Sequence, residues 1–136
     1  MTKPITTGAV HHLALTVNDL KRSQEFYTGL LGFQLAVELG PTRVILSNGS
    51  TLMALTTAPD PGQAIDDDRF SENRVGLDHL SLNVGSMEEL KEAARLLAEK
   101  GVPCGEIKDL GEGFGICVLA FRDPDNIQLE LSAPRA

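Results

Sequence analysis

Tryptophan is absent from this chain and aromatic residues make up only 4% of it, so a large flat ligand would find few rings to stack on. Cysteine is scarce as well. Cys104 and Cys117 form no C-x-x-C pair, which argues against a disulfide framework and predicts two reduced, partly buried thiols. The composition therefore argues against an aromatic stacking pocket and against a disulfide-stabilised fold.

Positive charge and long apolar runs are also lacking. The formal net charge is −7 and no basic cluster offers phosphate contacts, so neither a nucleic acid nor an anionic membrane is expected as a partner. No apolar run approaches the ~20 residues of a transmembrane helix. The first residues lack the apolar stretch of a signal peptide, so a cytoplasmic location is expected.

The most informative positive feature is an internal repeat. His12-Leu-Ala-Leu-Thr-Val17 in the first half matches His79-Leu-Ser-Leu-Asn-Val84 in the second, and both alternate apolar with polar or small residues, as strands do. A helix follows each: the first is predicted from Asn18-Asp19 to Gly32, and the second from the capping box Ser86–Glu89 to Gly101. Three strands then follow each helix, near 33–39, 42–47 and 51–57, and near 104–109, 115–122 and 126–132.

The sequence therefore predicts an α+β fold of two tandem βαβββ modules. The first module is expected at 9–57 and the second at 75–133, joined by a polar, proline-containing linker at 58–74. Together they are expected to form a single domain spanning 1–136.

Three residues could bind a metal. His12 and His79 occupy equivalent places of the repeat, and Glu130 belongs to the last alternating run; all three are predicted on the face of their strand that points away from the core. A single strand histidine is more often bonded to a backbone carbonyl, and a single glutamate is usually solvated. The joint pattern favours a divalent metal site instead. His11 is predicted to face the opposite side, as a structural histidine.

Other polar residues on these faces are weaker candidates for contacting a substrate. They could orient a polar ligand or simply fill a solvated sheet face; they are Thr16, Ser81, Asn83 and Gln128. Phe114, in a glycine-rich turn, is predicted to border the cavity mouth, and Arg122 to stabilise a turn. No acid–base residue is evident beyond Tyr27 and the exposed carboxylates, so the catalytic residue is left unassigned.

Several segments resemble the vicinal oxygen chelate superfamily, which includes glyoxalase I, extradiol dioxygenases, fosfomycin-resistance transferases and bleomycin-resistance proteins. They are the two histidine strands, Phe26-Tyr27 with Leu30-Leu-Gly-Phe33, and Phe121-Arg-Asp-Pro-Asp-Asn-Ile-Gln-Leu-Glu130. The resemblance implies a cupped eight-stranded mixed sheet around a metal, often in a homodimer. It places the family's ligands at His12, His79 and Glu130, whereas the fourth glyoxalase ligand would fall at Ala54.

Because alanine cannot coordinate a metal, the resemblance favours the three-ligand members over glyoxalase I. Three protein ligands leave room for a chelating substrate and dioxygen, which suits Fe(II) or Mn(II), with Zn or Ni as alternatives. The expected function is dioxygenase-like or lyase-type chemistry on a small oxygen-bearing molecule. Two alternatives stay open: fosfomycin-type thiol transfer, and metal-free sequestration of a drug or natural product.

Overall fold

The computed structural model describes residues 2–135, and the chain divides into two compact units, one ending at Asp66 and the other beginning at Asp67. Each unit contains one helix and one four-stranded sheet. The predicted α+β class and the β-α-β-β-β order of each module are confirmed. The eight strands are hydrogen bonded as two mixed sheets of four.

The first unit follows its local sequence signals closely. Its elements are β1 (Leu13–Thr16), α1 (Leu20–Leu30), β2 (Gln34–Glu38), β3 (Arg43–Ser47) and β4 (Leu52–Thr56), in the sheet order β1-β4-β3-β2. Helix α1 begins where Asp19 Oδ1 accepts the Arg22 N–H at 3.1 Å, and it ends before Gly32, whose φ of 74° favours glycine. A short 3-10 helix, Pro61–Gln63, lies within the predicted linker.

The second unit repeats this plan. Its elements are β5 (Leu80–Asn83), α2 (Met87–Glu99), β6 (Lys108–Asp109), β7 (Ile116–Arg122) and β8 (Gln128–Pro134), in the sheet order β5-β8-β7-β6. Ser86 Oγ accepts the Glu89 N–H at 3.2 Å, and the Glu89 carboxylate accepts the Gly85 N–H at 2.5 Å, a reciprocal cap close to the predicted box. Leu90 and Leu97 are the buried residues of α2, whose apolar stripe packs against β7 and β8.

In both sheets, the strand that follows the repeated histidine pairs with the last strand in the same register. In each, the first strand pairs in parallel with the last: Ala14 lies opposite Ala54, and Ser81 lies opposite Glu130. Because Ala14 and Ser81 each lie two residues after the repeated histidine, Ala54 occupies the place in the first unit that Glu130 occupies in the second. The predicted match between these two positions is confirmed.

Two expectations about local structure are wrong. The strand predicted at 104–109 is reduced to Lys108–Asp109, with an isolated bridge between Cys104 and Phe121, because Pro103 and Gly105 flank Cys104 and neither favours a regular strand. Cys104 is exposed rather than partly buried, whereas Cys117 is buried as expected.

Arg122 stabilises a turn, as predicted. Its guanidinium donates to the Asn126 carbonyl at 3.2 Å and to both carboxylate oxygens of Glu72 at 2.8 and 2.9 Å. The same segment is held by Phe70, whose N–H donates to the Asp125 carbonyl at 2.9 Å. The stretch around residues 70–72 is therefore fixed to the β7–β8 connection by one bidentate ion pair, by this backbone hydrogen bond and by a bond from Asn126 Nδ2 to the Phe70 carbonyl at 3.0 Å.

This ion pair predicts a pH dependence of stability. The hydrogen bonds from Arg122 lower the pKa of Glu72 from 4.5 to about 2. A depressed pKa in the folded state contributes stability that is present above pH 4.5 and is lost as the pH falls towards 2. Urea unfolding of Glu72→Gln should therefore show its largest deficit against the natural chain at neutral pH and a shrinking deficit below pH 4.5. A deficit that stays constant from pH 7 to pH 3 would contradict this assignment.

Candidate functional site

Two of the three predicted ligands are brought together in the second unit. His79 directly precedes β5, and Glu130 lies on the neighbouring strand β8, opposite Ser81. His79 Nε2 lies 3.7 Å from Glu130 Oε1, and the side chains are 40% and 19% exposed. His79 is thus exposed and Glu130 partly buried, and both are accessible to a ligand.

The other ring nitrogen of His79 already has a partner. His79 Nδ1 lies 2.7 Å from Asp78 Oδ1. Gln128 Nε2 donates to the same oxygen and to the Asp78 carbonyl, at 3.2 Å each. These contacts leave Nε2 as the nitrogen of His79 that faces Glu130.

A small cavity of about 230 Å³ opens beside this pair. Its charged side chains are three carboxylates, those of Asp78, Glu106 and Glu130, and one ammonium group, that of Lys108, so the net negative charge of the lining favours a cation. The lining residues are Asp78, His79, Gly105, Glu106, Lys108, Val118, Ala120, Gln128 and Glu130.

The first unit presents a different arrangement around its histidine. His12 is exposed and directly precedes β1, and its Nδ1 lies 2.9 Å from His11 Nδ1. The two rings meet edge to face, with centroids 5.1 Å apart. The expectation that His11 faces away as a structural histidine is therefore wrong: β1 begins only at Leu13, so strand alternation does not separate the two side chains.

Of the four polar residues predicted to contact a substrate, one lines the cavity, one bonds to a neighbouring strand and two are exposed. Gln128 lines the cavity beside His79. Ser81 Oγ lies 2.6 Å from Ser132 Oγ, which in turn donates to Glu130 Oε1 at 3.4 Å, so Ser81 supports the strand that carries the carboxylate. Thr16 and Asn83 are exposed on their strands.

Two aromatic residues proved to be placed away from this cavity. Phe114, in the glycine-rich turn, is 75% exposed and is not among the residues that line this cavity. Tyr27 is completely buried and packs edge to face against Phe26 and Phe33, so it has no access to a ligand as an acid or base.

Three charged lining residues were not predicted from the sequence: Asp78, Glu106 and Lys108. Asp78 had one available signal, its position immediately before the repeated histidine. Glu106 and Lys108 lie in and beside the irregular segment before β6, where no periodicity indicates which way a side chain points.

The donor pair has the chemistry and the spacing that a divalent ion requires. An ion binding each donor at ~2.1 Å can join atoms up to ~4.2 Å apart, and the His79–Glu130 separation of 3.7 Å falls within that reach. Within residues 2–135, no group of three or more His, Cys, Asp or Glu side chains is assembled for a metal. The second unit thus supplies two donors, and a three-ligand site needs one more.

Comparison with known proteins establishes the family. Residues 9–131 match the model of the Glyoxalase/Bleomycin resistance protein/Dioxygenase superfamily. YwkD of Bacillus subtilis, described as an uncharacterized protein, is 33% identical over 132 residues, covering 90% of this chain and 94% of YwkD. This chain belongs to the Glyoxalase/Bleomycin resistance protein/Dioxygenase superfamily, the vicinal oxygen chelate proteins whose resemblance the repeat had suggested.

Solved structures agree with this assignment. A glyoxylase/bleomycin resistance protein/dioxygenase domain from Frankia sp. EAN1pec is 34% identical, with a TM-score of 0.78 over 96% of this chain and 94% of that one. A mutant of the fosfomycin resistance protein FosX from Listeria monocytogenes, crystallised with Mn(II) and 1S,2S-dihydroxypropylphosphonic acid, is 18% identical, with a TM-score of 0.74 over 96% and 93% of the two chains. At that identity the likeness to FosX shows the fold alone.

Among residues 2–135, no helix is long and apolar enough to cross a membrane.

Proposed function

We propose that this protein binds a divalent metal ion through His12, His79 and Glu130 and uses it in a reaction on a small oxygen-bearing organic molecule. The observation that carries this proposal is the approach of His79 Nε2 to Glu130 Oε1 at 3.7 Å, with Asp78 on the other ring nitrogen. A histidine whose second nitrogen is bonded to a carboxylate is the usual form of a metal-ligating imidazole.

His12 is proposed as the third ligand because of the repeat. It precedes β1 as His79 precedes β5, and its side chain is exposed. Ala54 stands at the matching position of the first sheet and has no donor atom, which supports a set without a fourth ligand there. The proposed set is therefore two imidazoles and one carboxylate, which leaves several positions on the metal for other ligands.

Fe(II) or Mn(II) is the proposed metal, with Zn or Ni as alternatives. When bound, such an ion would polarise the oxygen atoms of a chelating substrate, and Fe(II) would in addition support oxygenation. The chain's own residues would hold and orient the substrate: Gln128, whose NH2 group is bonded to Asp78, offers its amide oxygen, and Lys108 offers an ammonium group at the cavity wall. Dioxygenase-like or lyase-type chemistry is the leading proposal, and fosfomycin-type addition of a thiol or water is the alternative enzyme reaction.

A metal-dependent enzyme is favoured over a sequestering protein by the cavity itself. Within the described residues, the lining of the cavity beside His79 contains no Phe, Tyr or Trp side chain that could stack on a flat drug. It contains instead the donor pair and further carboxylates, for which sequestration of an organic molecule has no evident use. The proposed partners are a small-molecule substrate and a second copy of the chain in a homodimer.

Metal analysis of protein purified without oxygen would test the proposal. About one equivalent of iron, with oxygen uptake that depends on a catechol, would favour the oxygenase. Manganese without oxygen consumption, together with turnover of an epoxide, would favour addition chemistry. If the protein takes up none of these metals, and an organic ligand binds the natural chain and His12→Ala equally well, sequestration replaces both enzyme reactions.

A further inference from the structure

The partner of His79 Nδ1 decides which nitrogen of this ring carries the proton. A carboxylate only accepts hydrogen bonds, so the 2.7 Å contact with Asp78 Oδ1 requires the proton of the neutral imidazole on Nδ1. A neutral imidazole then has a single lone pair available, on Nε2. We propose that Asp78, itself held by Gln128, is a positioning residue that fixes His79 as the Nδ1–H tautomer and directs the Nε2 lone pair at the cavity; as a role in metal binding, this rests on the proposed function.

Gln128 is needed to hold the Asp78 side chain in place, because that side chain is not fixed by burial. The Asp78 side chain is 67% exposed, and an exposed carboxylate on a connecting segment would otherwise rotate freely. The Gln128 amide, at the start of β8, donates both to Asp78 Oδ1 and to the Asp78 carbonyl. It thus fixes the side chain and the backbone of Asp78 at once and ties the segment before β5 to the strand that carries Glu130.

Glu130 does not compete for this role. Its Oε1 lies 3.7 Å from His79 Nε2, which is beyond hydrogen-bond distance, so Glu130 does not require a proton on Nε2. A cation bound to each atom at ~2.1 Å could bridge this separation. A proton on Nε2 would instead favour a direct hydrogen bond and a shorter separation.

The first module offers an internal comparison, because it lacks both positioning residues. His11 stands where Asp78 would be, and Leu52 stands where Gln128 would be. The contact between the Nδ1 atoms of His11 and His12, at 2.9 Å, can be made with either ring as donor. His12 is therefore not restricted to one tautomer by its neighbour. Of the two repeated histidines, only His79 has a neighbour that fixes its tautomer before a metal binds.

Nitrogen NMR of the metal-free protein would test the proposal directly. At a pH of about 8, where imidazoles are mostly neutral, long-range ¹H–¹⁵N correlations of labelled protein distinguish the two tautomers of each histidine. We expect His79 to be predominantly the Nδ1–H form in the natural chain. Asp78→Ala should shift it towards the Nε2–H form and weaken Mn(II) binding by ~10–100-fold. Gln128→Leu introduces the residue found at the matching place of the first module. It should change the tautomer population and the Mn(II) affinity in the same direction as Asp78→Ala, but by less.

The matched control is Glu106→Gln, which removes a negative charge from the same cavity and leaves the Asp78–His79 hydrogen bond in place; the His79 tautomer should not change. The backbone amide spectrum shows whether each variant keeps its fold. A natural chain with His79 in the Nε2–H form, or an unchanged tautomer in folded Asp78→Ala, would overturn the positioning role. If the tautomer responds as expected but the natural chain does not bind Mn(II) or any other divalent metal, the proposed function fails while the orienting role of Asp78 stands.

Discussion

Replacing His79 with alanine is expected to weaken divalent-metal binding by more than about 100-fold, because removing a ligand costs more than removing the outer partners of a ligand, which already costs ~10–100-fold. Glu130→Gln should weaken it as well, since the amide keeps the shape of the side chain but loses the charge that faces His79 Nε2 at 3.7 Å. Calorimetric titration of the metal-free protein with Mn(II) would measure both effects.

Glu106→Gln is the control for charge in this experiment. Glu106 lines the same cavity as Glu130, so both substitutions remove one negative charge from it. Only the loss at Glu130 should change the affinity by more than about threefold, because ligation requires contact whereas a nearby charge acts through a screened field. Equal losses in the two variants would mean that the acidic cavity attracts cations without a specific site.

The largest effect on stability is expected at Asp123. This carboxylate is buried, and its Oδ1 accepts the backbone N–H groups of Asp125 and Ile127 at 2.8 Å each. Asp123→Ala would leave two buried donors without that acceptor, and each such loss costs about 1–3 kcal/mol, so we expect the free energy of unfolding to fall by about 2–6 kcal/mol. Urea unfolding at neutral pH would measure the change.

Two further variants separate the hydrogen bonds from other causes. Asp123→Asn keeps an acceptor oxygen at the same place. It should lower the free energy of unfolding by less than half as much as Asp123→Ala does. Asp60→Ala removes a similar acceptor from the Gly62 N–H, but at an exposed turn where water can replace it, so a loss of only about 0.5–1 kcal/mol is expected. A loss at Asp60 as large as that at Asp123 would show that burial is not the deciding factor.

Much of the fold could be predicted because its signals are local. Asp19 and Ser86 cap the helices they were expected to cap, and apolar alternation located seven of the eight strands. The strand before β7 was overestimated because its apolar residues suggested more pairing than a segment containing Pro103 and Gly105 can make. A proline donates no ladder hydrogen bond, so only a bridge at Cys104 and a two-residue strand remain.

The candidate site was less completely predictable, and for a different reason. The repeat pointed to His79 and Glu130, since parallel pairing of β5 with β8 brings the two positions together. It could not reveal the contacts of Asp78 with His79 and Gln128, because these depend on side-chain rotamers at the end of a strand. The orientation of His11 was missed for the same reason, as alternation applies only from Leu13 onward.

The shared register of the two sheets has an evolutionary consequence. In an assembly of identical single modules, every substitution is copied into each subunit, so a ligand position is either kept everywhere or lost everywhere. A tandem chain is not subject to that constraint. Its two equivalent positions hold different residues: Ala54, opposite Ala14, in the first sheet and Glu130, opposite Ser81, in the second. Because the two copies lie in one chain and are encoded separately, a substitution at the position of Ala54 leaves Glu130 unchanged, so the two equivalent positions can be altered one at a time.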